Sequence, residues 1–127
     1  MTKRYLITGS KGQLGGRLKE MLPGSLTPTR SDFDLADFSA MEQYFANHEF
    51  DTVIHCAART SPPVINKDPT AAIADNIIAT GNLALLCNKY QKRLIYISTD
   101  YVYSGVKGNY KETDSLYPVN NYAWSKL

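Results

Sequence analysis

Apolar residues along this chain fall into two rhythms. Short continuous runs, "RYLIT" at 4–8, "DTVIHCAA" at 51–58 and "RLIYIST" at 93–99, are rich in β-branched and aromatic side chains and predict buried strands. Between them the spacing opens to the 3.6-residue period of helices. Gly12–Leu22 carries Leu14, Leu18, Met21 and Leu22 on one face and is closed by Pro23-Gly24. Phe38–Phe50 puts Phe38, Met41, Tyr44 and Phe45 inward, with Asp37 as N-cap. From Pro69 to about Tyr90 the stripe is Ile73, Ile77, Ile78, Leu85 and Leu86, with Pro69 in the first turn. Ser25–Thr29 is a weak strand candidate. Pro62-Pro63 marks a loop, 101–119 is a loop rich in Gly, Tyr and Lys, and a last helix begins near Asn120 or Asn121.

Strands that alternate with helices, and that read as continuous apolar runs, predict a parallel sheet covered on both faces. The expected fold is α/β: a Rossmann-like doubly wound sheet in three αβα layers, formed as one domain over 1–127. Composition changes little in this picture. The 127 residues are 43% hydrophobic and 20% charged, as in an ordinary globular domain. A net charge of +2, with no basic stripe interleaved with aromatics, gives no reason to expect nucleic acid as a partner. Cys56 and Cys87 lie inside apolar runs without metal or redox spacing, so free buried thiols in a reducing compartment are expected, and no metal site. The start "MTKRYLIT" lacks the long apolar stretch of a signal peptide, and no uninterrupted apolar run reaches the ~20 residues that span a bilayer. A cytoplasmic protein with no membrane partner is the expectation.

Candidate chemistry begins at "TGSKGQLG", Thr8–Gly15, between the first strand and the first helix. Gly9 allows the tight turn, Gly12 lets the backbone approach a pyrophosphate, and Gly15 permits close helix packing. Free amides at the helix start favour the anion. Lys11, Gln13 and Leu14 complete this candidate cradle. A glycine turn without a ligand is the bland alternative; the strand before it and the helix after it argue against that.

A second constellation lies at the other end of the chain. Tyr122 and Lys126 are four apart, so a helix sets both on one face. A tyrosine with a pKa near ~10 donates a proton poorly, and a lysine one turn away lowers that pKa by favouring phenolate. A hydroxyl at the carboxyl end of a neighbouring strand can hold a substrate oxygen; Thr99 is the candidate, with Ser98 facing the other way. Tyr-x-x-x-Lys arises often by chance, and the glycine turn upstream is what favours catalysis here. The last residues, Ser125-Lys126-Leu127, also spell a peroxisomal address, but Lys126 reads better as the partner of Tyr122. His55, alone at the end of its strand, reads as a satisfied structural histidine near the cofactor, and Thr60 as a residue able to reach cofactor or substrate.

Gly-x-x-Gly-x-x-Gly behind a threonine resembles the turn of the extended short-chain dehydrogenase/reductase family. "ISTDYVYSG" at 97–105 resembles the Ser-Thr-Asp-Tyr-Val-Phe-x-Gly strand of its dTDP-4-dehydrorhamnose reductases, and "ETD" at 112–114, Pro118 and Tyr122-x-x-x-Lys126 follow in that order. The resemblance covers the whole chain. It implies that Tyr122 is the acid/base, that Thr99 orients the carbonyl, and that Lys126 binds the nicotinamide ribose and tunes the tyrosine. It also implies cofactor contacts at Asp34 and Leu35 (adenine), at Cys56, Ala57 and Ala58 after their strand, and at Asn76 in the long helix.

An acid ending the second strand would select NAD(H). The chain has "TPTRSD" there, and Arg30 with Thr29 and Ser31 suits a 2′-phosphate. NADP(H) is therefore the expected cofactor, with NAD(H) the alternative. The expected substrate is a nucleotide-linked keto sugar. A sugar-nucleotide epimerase or dehydratase and a non-catalytic cofactor-binding subunit are the competing readings. In the family the Tyr-x-x-x-Lys helix lies mid-protein, so we expect an N-terminal portion of a longer chain, with further strands and a substrate domain beyond it. An uncovered edge makes a homodimer a possible partner arrangement.

Overall fold

The structure is a computed structural model and describes residues 3–127. Three strands, β1 (Tyr5–Thr8), β2 (Thr52–His55) and β3 (Arg93–Tyr96), form a parallel sheet in that order. The register sets Leu6 beside Val53 and Val53 beside Leu94, and likewise Thr8, His55 and Tyr96 in a row. Strand alternation therefore gathers these six side chains on one face and Ile7, Ile54 and Ile95 on the other.

The expected Ser25–Thr29 strand is reduced to one bridge. Leu26 pairs with Leu6 on the outer edge of β1, through Ile7 N–H to Leu26 O and Leu26 N–H to Tyr5 O, both 2.8 Å. Pro28, two residues on, has no N–H for a ladder. Even so, the bridge sets the topology. The chain leaves β1 to one side, at Leu26, and returns on its other side, at β2. The strand order reverses at β1, and the crevice beyond the carboxyl ends opens there.

Helices α2 (Phe38–Asn47) and α5 (Ala79–Lys89) cover the first face. Leu6, Met41, Phe45, Phe50, Val53, Leu83, Leu86 and Cys87 form its core cluster. Asp37 caps α2, its carboxylate accepting the Ala40 N–H at 3.0 Å. The helix stops at Asn47, short of the expected Phe50. His48 turns extended, and buried Phe50 meets Phe45 edge-on at 4.9 Å between centroids. Phe38, expected inward, is exposed.

Helix α1 (Gln13–Met21) lies over the second face. Leu14 and Met21 were expected inward, yet are 46% and 62% exposed. That face offers Ile7 and Ile54 as its buried apolar side chains, too narrow a surface to cover the whole helical stripe.

Pro62-Pro63 opens a helix rather than a loop, α3 (Pro62–Lys67), because the first helical turn does not use the missing N–H groups. The expected long helix is present as α4 (Pro69–Ala72), a π-helical segment (Ile73–Ile78) and α5, with Asp68 capping the start. Its inward stripe differs from the expected one. Ala72, Asn76, Ala79, Leu83, Leu86 and Cys87 are buried, while Ile73, Ile77, Ile78 and Leu85 are exposed. The buried positions keep a spacing of three and four residues, so the inward stripe is the one next to the isoleucines, made of small residues, an asparagine and leucines. Pro69–Lys89 is long and apolar enough to cross a membrane, which the sequence reading did not expect. A core helix can be so too, and here one side of the stretch packs on the sheet. The predicted 101–119 loop begins in a 3₁₀ turn (Asp100–Val102), and α6 (Asn121–Lys126) ends the chain, capped by Asn120.

Gly9 has φ +69°, and a Cβ on it would lie 2.6 Å from Ala57 N; one on Gly15 would lie 2.2 Å from Gly9 O. The third glycine, expected to serve helix packing on the sheet, is thus required by the turn itself, whose backbone at Gly9 and Ser10 a side chain would meet. Gly81, in α5, has open space around it. Gly15→Ala should destabilise the protein by about 3 kcal/mol, whereas Gly81→Ala should stabilise it by up to about 1 kcal/mol through helix propensity. Urea unfolding of both variants checks the pair, and equal effects would contradict the packing described.

Candidate functional site

At the switch point lies a cavity of about 310 Å³. Three carboxyl-end segments wall it: Thr8–Gly12 after β1, Pro28–Arg30 after the Leu26 bridge, and Cys56–Arg59 after β2. The first turn of α1 faces it without a side-chain cap and without an acidic residue. An open helix start beside a backbone with no Cβ at Gly9 or Gly12 is a cradle for an anionic group.

Charge around the cavity points the same way. Lys11, Arg30 and Arg59 line it against a single acid, Asp75. Asp75 sits on the π segment and bridges both arginines, accepting from Arg30 Nη2 at 2.7 Å and from Arg59 Nε at 2.8 Å. Asp32, the nearest acid after Arg30, is turned into its own loop. Its carboxylate accepts the Thr29 N–H at 2.6 Å and the Thr29 hydroxyl at 3.1 Å, and these bonds hold its pKa below the usual carboxylate range. It does not line the cavity, so the loop presents Arg30 without a competing carboxylate of its own.

The second constellation stands on α6. Lys126 is 5% exposed and paired with no carboxylate among the described residues. Its ammonium lies 4.2 Å from the centroid of the Tyr96 ring, and the Tyr96 hydroxyl donates to Lys126 O at 3.0 Å. Burial pulls the lysine below its ordinary pKa, partly offset by Cys56. The Tyr122 ring packs edge-on against Tyr101 with centroids 6.2 Å apart. Thr99 Oγ1 accepts the Tyr101 N–H at 3.3 Å and donates to Asp100 Oδ1 at 3.4 Å, a long bond that leaves its proton easily redirected.

Of the residues expected to hold a cofactor, Gly9, Lys11, Gly12, Arg30, Leu35, Cys56, Ala57 and Ala58 line the cavity. Gln13, Leu14, Gly15, Asp34, Thr60 and Asn76 do not, and neither do Thr99, Tyr122 and Lys126. Asp34 instead accepts the Ala36 N–H within its own turn at 2.8 Å. Asn76 acts from one layer behind, clasping the Arg59 backbone through its N–H and its carbonyl at 2.7 and 2.9 Å. Sequence reasoning missed Arg59 and Asp75. Each is a charged residue next to a motif residue, Ala58 and Asn76, and that adjacency was the available signal.

His55 is 1% exposed and meets two hydroxyls, Thr8 Oγ1 at 2.7 Å from Nδ1 and Thr80 Oγ1 at 3.0 Å from Nε2. Burial, and secondly the charge of Lys126, holds its pKa down at about 4.

Residues 3–127 match the sequence profile of the family described as RmlD substrate binding domain. A dTDP-4-dehydrorhamnose reductase of Mycolicibacterium smegmatis is 37% identical over 133 residues, covering 100% of this chain and 40% of that protein. Methionine adenosyltransferase 2 subunit beta of Bos taurus is 34% identical, covering 98% and 41%. The crystal structure of dTDP-4-dehydrorhamnose reductase from Bacillus anthracis in complex with NADP superposes with a TM-score of 0.91 at 33% identity, covering 99% of this chain and 47% of that one. The chain thus spans less than half the length of each relative.

The unfolded chain binds a proton at His55 near the ordinary 6.5, while the folded one does not until about 4. Stability should therefore fall as pH drops through that window, by up to about 3 kcal/mol once below it. Denaturant midpoints between pH 7.5 and 4.5 should show this loss in the native protein and its absence in His55→Phe. Parallel curves would refute it.

Proposed function

This chain belongs to the RmlD substrate binding domain family, and we propose that the whole protein reduces a nucleotide-linked 4-keto-6-deoxy sugar, using NADP(H), as a dTDP-4-dehydrorhamnose reductase does. One observation carries the reading. A single fold holds both a glycine-walled, cation-ringed cavity and a tyrosine one helical turn from a buried lysine. Gly9, Gly12 and the α1 amides would hold the pyrophosphate, Arg30 and Thr29 the 2′-phosphate, Cys56, Ala57 and Ala58 the wall, and Lys126 the nicotinamide ribose. When bound, the dinucleotide supplies the hydride.

The chain's own residues do the rest. Thr99 redirects its loosely held proton to the carbonyl oxygen and orients it. The Tyr122 phenol gives its proton to the oxygen as negative charge develops there. Lys126 stabilises the phenolate that remains, and burial makes that charge more effective than it would be in water.

The match to a methionine adenosyltransferase subunit favours a second reading, a cofactor-binding subunit without chemistry of its own. Tyr122→Phe separates the two. In the full-length protein it should lower keto-sugar reduction by roughly 10²–10⁴-fold and leave NADPH binding intact. Undiminished turnover would remove Tyr122 from the acid/base role; no turnover in the native protein would favour the subunit reading.

Cofactor choice has its own test. Arg30→Ala should weaken NADPH binding by roughly tenfold, the scale of one charged hydrogen bond, and change NADH binding little. Isothermal titration of both cofactors reads this directly. Tighter binding of NADH by the native protein would overturn the NADP(H) assignment.

A further inference from the structure

The hydrogen bonds around His55 fix its chemical form. Thr80 Oγ1 lies 2.7 Å from Asn76 O, and a carbonyl can only accept. The Thr80 proton is committed there, so Thr80 Oγ1 must accept from His55 Nε2, which therefore carries the hydrogen. Neutral imidazole then has a bare Nδ1, and the 2.7 Å contact requires the Thr8 hydroxyl to donate to it. Thr8 Oγ1 in turn accepts the Ala57 N–H at 3.2 Å. Each donor meets one acceptor along the whole path. An added proton on Nδ1 would leave the hydroxyl hydrogen of Thr8, itself 1% exposed, without an acceptor.

Asn76 carries the path onward. Its amide donates to Ser125 Oγ at 2.8 Å, and the Ser125 hydroxyl donates to Tyr122 O at 2.7 Å. Both ends of the path are functional ground. One is the residue before Gly9 and the wall residue Ala57; the other is the first turn of α6. That helix has six residues and few bonds of its own to fix its position.

We propose that His55 is a positioning residue which, as its Nε2–H tautomer, holds the glycine turn and the Tyr122–Lys126 helix in one register. Its effect on turnover rests on the reductase reading above; the tautomer and the path do not.

Two measurements on the full-length protein test it. Long-range ¹H–¹⁵N spectra, with the His55 signals identified by their loss in His55→Phe or, if that variant does not fold, in His55→Gln, should show His55 protonated at Nε2 and bare at Nδ1. The opposite tautomer, or an imidazolium at neutral pH, overturns the proposal whatever the protein catalyses. Kinetics then read the coupling. His55→Phe should raise the KM for NADPH and lower kcat, each by roughly tenfold, as expected for lost buried hydrogen bonds. Ser125→Ala should lower kcat alone. The double variant should fall well short of the product of the two kcat effects, because both changes cut one path. Multiplying effects, or a folded His55→Phe with native constants, overturns the proposal. Should His55→Phe not fold, Thr80→Val cuts the same path and takes its place. A native protein without keto-sugar reduction would sink the reductase reading and leave the tautomer to decide.

Discussion

The backbone of Gly9 is held between two neighbours that leave no space for a side chain. Ala57 N stands on one side, and the Gly15 Cα presses toward the Gly9 carbonyl on the other. Three elements meet at this contact: the end of β1, the start of α1 and the end of β2. Their relative placement is set by backbone against backbone, the stiffest packing a protein has. The cavity inherits its walls from that contact. So does the open start of α1, whose amides point where the turn directs them. The hydroxyl of Thr8, one residue back, joins the same backbone to His55 and beyond.

Much of this was legible in the sequence because it depends on neighbours in the chain. The glycine spacing, the strands around it, the Asp37 cap and the four-residue offset of Tyr122 and Lys126 are all local patterns. What was missed is not local. Asp75 pairs with Arg30 and Arg59 across 45 and 16 residues, and no periodicity encodes such a bridge. The inward face of the long helix was misread for a subtler reason. It was assigned to the isoleucines because they are the most apolar, whereas the buried residues Ala72, Asn76, Ala79, Leu83 and Leu86 form the adjacent stripe with the same period. Apolar isoleucines then point out, and a polar asparagine points in.

Lys126 illustrates how this fold tolerates a buried cation. Among the described residues it has no carboxylate partner, which would hold its ammonium in an ion pair and blunt its action on a neighbour. An aromatic face takes that role, with Tyr96 beneath the ammonium and its hydroxyl on the backbone of the same lysine. The arrangement fixes both ends of the side chain while keeping its charge available. The cavity follows a different rule: its arginines are bridged by Asp75, so the cations stay ordered without a ligand and still outnumber the acid.

The π segment also has a consequence for how this chain tolerates change in length. A π turn holds one residue more than an α turn needs. Deleting any one residue between 73 and 78 would let the helix close into regular α geometry, which by itself is the more comfortable state. The turns on either side would keep their relation to one another, because the residue removed is the one the π turn absorbs. What would change is the segment itself, where Asp75 holds the two arginines and Asn76 holds Ser125. A single codon lost there would preserve the helix, the hydropathy and the strand order, and disturb only these contacts.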